Sequence, residues 1–251
     1  MKRFLKKRVL ITGGTRGIGL ATAQAFLKEG AEVAIAGRTN ASVKAAVADY
    51  SLSEVHTVVG DVARVSDCQA LVESALSTMG GLDILVNSAG VFEPAGISET
   101  DEKLWDRVLD TNLKGSYFCS QACIPALKNS NGNIVHVGSE SGINGYGGST
   151  AYCASKGAIV NLTRSMAMEL APDIRVNTVC PGVVETDMAR AGFAINGDEQ
   201  AGMDRQRQQY PLKRVASADE IAAAILYLAS EDARFITGEA LVIDGGATVG
   251  K

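Results

Sequence analysis

Histidine, tryptophan and proline are scarce in this 251-residue chain: it has two, one and five of them, and aromatic residues make up only 5%. Neither His56 nor His136 sits in a metal-ligand pattern, and both fall in strand-like runs, so no metal site is expected. The five cysteines (Cys68, Cys119, Cys123, Cys153 and Cys180) lack zinc-like pairing, and an odd number fits a disulfide framework poorly. Cys119 and Cys123 share a helical face without a histidine nearby, and they read as small buried apolar side chains. An excess of positive charge is also missing: 24 Lys and Arg stand against 28 Asp and Glu. That balance excludes a broad footprint for nucleic acid or anionic lipid, and neither partner is expected. Long hydrophobic runs are absent. The apolar stretch that follows the basic start, Val9 to Ile11, stops at Gly13-Gly14, far short of a membrane span or a signal sequence. A solvated basic tail ahead of a buried strand is the reading, and the cytoplasm is the expected compartment.

What is present is a regular alternation. Strand-like runs fall at Arg8–Thr12, Glu32–Ala36, Val55–Gly60, Leu82–Asn87, Asn133–Gly138, Ile174–Cys180 and Ala240–Ile243. Between them the spacing predicts helices at Gly17–Glu29, Ser66–Thr78, Glu102–Lys128, Ala151–Leu170 and Ala218–Ala229, the third long enough to be two pieces. Strands apolar almost throughout imply burial on both faces, hence a parallel sheet covered by helices. The expectation is one α/β domain over residues 1–251: a Rossmann-type, doubly wound, seven-stranded parallel sheet. Ligands of such sheets bind at the carboxyl ends of the strands, near the topological switch point.

The first strand runs into Gly13-Gly14-Thr15-Arg16-Gly17-Ile18-Gly19 and then an amphipathic helix. Glycines there let the backbone turn sharply and approach a pyrophosphate, while the helix start offers unpaired N–H groups and a positive dipole end. Between a first strand and first helix, the cluster points to a dinucleotide. A site for NAD usually ends the second strand with an acid that accepts from the ribose 2′-OH. Here that strand ends Ala36-Gly37-Arg38, with Arg16 in the glycine loop, so two guanidiniums are available for a 2′-phosphate. The pattern points to NADP(H). Asp61, after the third strand, has two readings that spacing does not separate: an acceptor for the adenine amino group, or a turn cap.

Tyr152 and Lys156 lie one helical turn apart and share a face. A free tyrosine, with a pKa of about 10, is a poor base at neutral pH. Lowering it by about three units needs roughly 4 kcal/mol of differential interaction, much of which a desolvated Lys156 ammonium is expected to supply. In the reducing direction the same phenol donates a proton to a carbonyl oxygen. Ser139 follows a strand and is placed to hydrogen-bond the substrate oxygen.

With these residues assembled, the chain resembles the short-chain dehydrogenase/reductase family, essentially end to end, and its 3-oxoacyl-carrier-protein-reductase-like members of about 250 residues. The motif T-G-x-x-x-G-I-G is matched from Thr12 to Gly19, the Asp-apolar pair by Asp61-Val62, and N-N-A-G by Asn87-Ser88-Ala89-Gly90. Serine replaces the second asparagine there, which weakens the segment's sheet-stabilising role. The resemblance implies a catalytic set of Asn112, Ser139, Tyr152 and Lys156, with Asn112 holding a helix open around a water. It gives Lys156 a second role on the nicotinamide ribose and in a proton relay. It places Pro181, Gly182, Val184 and Thr186 along the nicotinamide, and Asn87, Ala89 and Gly90 near the adenosine side. It also implies a homotetramer whose last strand packs across a subunit interface.

The substrate side is less defined. The resemblance implies that residues 187–210 are a substrate lid, and the alternative is a surface helical excursion with no part in selectivity. Glu140, Asn144 and Tyr146 are candidate pocket residues, although Glu140 reads equally as facing solvent. Lys114, Arg190, Arg205 and Arg207 are candidates for a basic rim that an acyl carrier protein would favour. The expected function is an NADP(H)-dependent oxidoreductase acting on a small-molecule carbonyl or alcohol. The alternatives are a non-catalytic NADP(H)-binding redox sensor, or, among enzymes, a sugar or polyol dehydrogenase rather than a 3-oxoacyl thioester reductase.

Overall fold

The computed structural model describes residues 2–50, 52, 54–194 and 196–249. Seven strands form one parallel sheet: β1 (Arg8–Thr12), β2 (Glu32–Gly37), β3 (His56–Val59), β4 (Ile84–Asn87), β5 (Asn133–Val137), β6 (Arg175–Pro181) and β7 (Ala240–Ile243). Their order is β3-β2-β1-β4-β5-β6-β7. Because side chains alternate across a strand, each of the five inner strands contributes to two cores. Val9, Ile11, Val33, Ile35, Ile84 and Val86 face one side, where they meet Phe26 of α1 (Gly17–Lys28) and Ile221 and Ile225 of α9 (Ala218–Ala229). Leu10, Ala34, Leu85 and Ile134 face the other. There they meet α3 (Val65–Met79) through Leu71 and Val72, α5 (Gly115–Ser130) through Cys119 and Leu127, and α6 (Thr150–Leu170) through Met166 and Leu170. This double burial explains why the strands read as apolar runs with no polar face.

Three further helices lie outside the five that the spacing predicted, two of them in the stretch read as a lid or a helical excursion. α2 (Asn40–Asp49) buries only Val43 and Ala46, and it is set by a capping box between Thr39 and Ser42. α7 (Asp187–Phe193) and α8 (Glu199–Gln209) follow β6. The long helix expected at 102–128 is two, α4 (Glu102–Leu109) and α5, joined by a π-helical turn over Asp110–Lys114. None of the described helices is long and apolar enough to cross a membrane.

Cys68, Cys119 and Cys123 are fully buried thiols. The adjacent Cys68 pushes Cys119 up and burial pushes Cys123 up, so both stay neutral and pack as apolar groups, as expected.

Asp83, just before β4, fixes the start of β1. Its Oδ2 accepts from the Arg8 backbone N–H at 2.9 Å and from Arg8 Nε at 2.8 Å. Its own backbone N–H donates to the Arg8 carbonyl at 2.9 Å. Asp83→Ala strands a half-buried guanidinium and a backbone donor, and is expected to cost about 1–3 kcal/mol. Urea unfolding checks this as a lower midpoint with an unchanged slope.

Candidate active site

The strand order reverses at β1, which has β2 on one side and β4 on the other. The loops after β1 and β4 therefore part, and a cavity of about 820 Å³ opens over the carboxyl ends of the strands. Gly13, Thr15, Arg16, Gly17, Ile18, Arg38, Val62, Ala89 and Gly90 line one end. Ser139, Tyr152, Lys156, Pro181, Gly182, Val184 and Thr186 line the other. Four residues expected at the site, Gly19, Asp61, Asn87 and Asn112, stand behind this wall.

The glycine loop is built for close approach. Gly13 and Gly17 hold φ of +66° and +53°, left-handed values that other residues seldom adopt. α1 begins at Gly17 with no side-chain cap and no acid in its first turn, so its positive end is left open toward the cavity. Gly19 acts from behind: a Cβ there would lie 2.3 Å from the Gly13 carbonyl oxygen. Gly19→Ala must displace that backbone, and at least a tenfold loss of dinucleotide affinity is expected with far-UV circular dichroism retained; isothermal titration checks it.

Arg16 and Arg38 are exposed at the same end, and neither forms an ion pair among the described residues. Beside them, Thr39 and Ser42 at the start of α2 also line the cavity. Asp61 takes the turn-cap role instead of facing the cavity: its Oδ1 accepts from the Ala63 N–H at 3.1 Å, and Gly60 and Val62 supply the wall. Asn87, expected on the adenosine side, turns its side chain inward as a brace. Its Nδ2 donates to Ser120 Oγ at 2.9 Å and approaches His136 Nδ1 at 3.3 Å, because its position in β4 points it at α5. Thr12 Oγ1 joins β1 to the same segment by accepting from the Ser88 and Ala89 N–H groups.

At the far end, Ser139 leaves β5 and its Oγ accepts from the Ser141 N–H at 3.1 Å, starting a 3₁₀ turn over Glu140–Gly142. Tyr152 and Lys156 sit in the first turns of α6, with Lys156 Nζ 5.7 Å from the Tyr152 ring centroid. Nζ donates to the Val137 carbonyl at 2.7 Å, which orients it. Asn112 lies in the π turn, fully buried. Its Oδ1 accepts from the Val91 N–H at 2.8 Å, while Nδ2 donates to the Val91 carbonyl and to Ser155 Oγ, both at 3.1 Å. Ser155 Oγ in turn donates to the Tyr152 carbonyl at 2.8 Å. Asn112 thus clamps the loop after β4 to the helix that carries Tyr152 and Lys156. The open turn that the resemblance implied is present as an extra-wide helical turn.

The electrostatics differ from the expectation in one respect. Burial pushes Tyr152 up to about 12, against a downward pull from the Ser139 hydroxyl. Lys156 is itself pushed down to about 8 by burial. In the protein alone desolvation outweighs the pairing, and the phenol stays protonated. His136, beneath this pair, is held neutral by burial and by the Lys156 charge, down to about 4.

The substrate end has two unlike walls. Phe92 packs edge-on to Tyr152 at 4.9 Å between centroids, and Phe193 of α7 lies 5.1 Å from Phe92. Glu140 also lines the cavity and is only 7% exposed. Glu140 Oε1 accepts from the Tyr210 hydroxyl at 2.7 Å, and that hydroxyl accepts from the Val183 N–H at 2.7 Å. Tyr146 also lines the cavity, whereas Asn144 does not. Phe92 and Tyr210 were not anticipated as site residues. Phe92 was findable as the second residue after the Asn87–Gly90 segment; Tyr210 had no local signal, since its partner is 70 residues away. The basic rim is largely cancelled. Lys114 pairs with Asp110 at 2.7 Å, and Arg190 and Arg207 both pair with Glu185.

A family model described as "Enoyl-(Acyl carrier protein) reductase" matches residues 13–248. Meso-2,3-butanediol dehydrogenase of Serratia marcescens is 37% identical over 247 residues, which cover 98% of this chain and 96% of that one. The chain belongs to the short-chain dehydrogenase/reductase family. Its relatives include 3-oxoacyl-[acyl-carrier-protein] reductase FabG of Escherichia coli, 35% identical with 97% and 98% of the two chains covered. The solved aldohexose dehydrogenase of Thermoplasma acidophilum has a TM-score of 0.87 at 29% identity, covering 98% of this chain and 95% of that one. As a short-chain dehydrogenase/reductase, the protein is an oxidoreductase of a family that binds a nicotinamide cofactor. The Rossmann-type fold expectation is met.

Proposed function

We propose that this short-chain dehydrogenase/reductase is an NADP(H)-dependent enzyme that interconverts a carbonyl and a secondary alcohol, with Tyr152 as general acid and base. The observation that carries the reading is one cavity holding the open start of α1 and two unpaired arginines at one end, and Ser139, Tyr152 and Lys156 at the other. The residues fit the cofactor: Gly13 and Gly17 leave the start of α1 open to a pyrophosphate, and Arg16 and Arg38 suit a 2′-phosphate. When bound, the reduced nicotinamide would supply the hydride to the carbonyl carbon and be left as NADP⁺, and Tyr152 would give its proton to the carbonyl oxygen. Ser139 holds that oxygen. Lys156, fixed by the Val137 carbonyl, supplies positive charge beside the phenol and binds the ribose hydroxyls. Asn112 is a positioning residue for α6.

Butanediol, aldohexose and acyl-carrier-protein substrates in the relatives' names share this carbonyl–alcohol chemistry. We read the chain as one domain in which residues 187–210 form a substrate lid, since Met188, Phe193, Gln206 and Tyr210 all line the cavity. Exposed Phe235 and Val242 by β7, and exposed Met168, Tyr117 and Trp105 on α4, α5 and α6, are apolar side chains that the interfaces of a homotetramer would cover. The free thiols suit the cytoplasm.

The test is NADPH oxidation by the purified protein with oxoacyl thioesters, ketoses, diketones and cyclic ketones, and with NADH in parallel. Turnover preferring NADPH supports the reading. Tight NADPH binding without turnover on any carbonyl overturns it in favour of a sensor.

A further inference from the structure

One hydroxyl in the substrate half of the cavity joins three segments that are far apart in sequence. Tyr210 ends the stretch read as the lid, and it is buried with Ala189 of α7 and Met203 of α8 in a small core of their own. Its hydroxyl donates to Glu140 Oε1 and accepts from the Val183 N–H, both at 2.7 Å. Val183 lies between Gly182 and Val184, in the loop assigned to the nicotinamide. The ring is seated tightly on that loop, since a Cβ on Gly182 would lie 2.8 Å from it. Glu140 opens the 3₁₀ turn that follows Ser139. That turn is packed just as closely on α6: a Cβ on Gly142 would lie 2.5 Å from the Lys156 carbonyl oxygen. The lid's core, the nicotinamide loop and the Ser139 turn therefore converge on one buried oxygen, where a lost hydrogen bond is expensive. The link also reaches the reacting phenol. Burial, and among smaller contributions the Glu140 carboxylate, pushes Tyr152 up, which favours the protonated form that reduction uses.

We infer that Tyr210 is a positioning residue that ties the end of the lid to the Ser139 turn and sets Ser139 against the nicotinamide loop. The inference deepens the proposed reaction and rests on it for the roles of Ser139 and of the loop after β6. Removing the hydroxyl slows the chemical step and spares cofactor binding, whose phosphate contacts lie at the other end of the cavity.

The test compares wild type with Tyr210→Phe, Glu140→Ala, the double variant and Glu140→Gln. Each is assayed with NADPH and the carbonyl turned over fastest among oxoacyl thioesters, ketoses, diketones and cyclic ketones. Tyr210→Phe keeps the ring and is expected to lower kcat by about 10–100-fold, as a slight misplacement of reacting groups does, with NADPH affinity changed less than about threefold. Glu140→Ala should do the same, and the double variant should be no slower than the worse single, because both remove one link. Glu140→Gln keeps an acceptor for the Tyr210 hydroxyl and should retain most of kcat. With the charge gone, its alcohol oxidation should rise at lower pH than in wild type. Hydrogen exchange of the NADPH-loaded proteins reads the link without turnover. The Ser141 and Gly142 N–H groups donate to the Ser139 hydroxyl and carbonyl, and the Leu20 N–H of α1 donates to the Arg16 carbonyl. In Tyr210→Phe the first two should exchange about tenfold faster while the third keeps its rate. An unchanged kcat, effects that multiply in the double variant, or exchange that is unmoved at the turn or faster throughout the chain overturns the inference while the oxidoreductase reading stands. Absence of turnover on every carbonyl overturns that reading instead, and the exchange of Ser141 and Gly142 then decides whether Tyr210 holds the turn.

Discussion

Tyr152→Phe is expected to lower kcat/KM for carbonyl reduction by about 10²–10⁴-fold, far more than it changes NADPH affinity. The substitution removes one oxygen from a cavity whose shape is set by the backbone of α6 and by the Phe92 ring against Tyr152. What disappears is the phenol proton one helical turn from Lys156. The same pair sets the pH dependence. The phenol, up at about 12, remains protonated through neutral pH, so reduction does not lack its acid there. The Lys156 ammonium, with its pKa brought down to about 8, is charged below that value and neutral above it. Reduction should therefore be flat on the acid side and fall as pH rises through about 8. Alcohol oxidation needs the phenolate and should rise with pH over the same range. Profiles of kcat/KM in both directions check this; reduction that accelerates with rising pH would contradict it.

The second large effect concerns cofactor choice. Arg16→Ala combined with Arg38→Asp is expected to shift the NADPH-to-NADH affinity ratio by about a hundredfold or more toward NADH. Each guanidinium–phosphate contact is worth about 1.5–3 kcal/mol. Both side chains are exposed, so solvent screening holds the pair near the lower end of that range. The new aspartate adds a gain of its own, because it ends β2 with the acceptor that a ribose 2′-OH requires. Wild-type preference should also narrow as salt is raised from 0.05 to about 0.5 M, since charge pairs at a cavity mouth are screened. Tighter binding of NADH than NADPH by the wild type would refute the assignment of both arginines.

Much of this was legible in the sequence because the strands carry their burial openly. Runs such as Val9-Leu10-Ile11 and Ile84-Leu85-Val86 have no polar face, which only a sheet covered on both sides explains. Helices that bury a broad stripe, α1, α3, α6 and α9, were legible for the related reason. α2 and α8 were not: they bury two residues each, Val43 with Ala46 and Gly202 with Met203, too few to impose a period. The Thr39–Ser42 capping box was the available sign for α2. In the site, residues defined by local chain geometry came through, such as the glycine loop, Tyr152 and Lys156. Those defined by what lies across the fold did not. Asn87 is turned inward by its register beside His136, and the Glu140–Tyr210 bond joins segments that no spacing rule connects.

The reversal of strand order at β1 also divides the chain's labour along its length. All the loops assigned to the dinucleotide's phosphates and adenosine precede residue 93, and most of the substrate wall comes after it. The two stretches meet where β4 pairs with β5 and where α1 packs on α9. Substitutions at Glu140, Phe193 or Tyr210 leave the phosphate loop untouched, so a lineage with this fold is free to explore new alcohols while its source of reducing power is inherited unchanged.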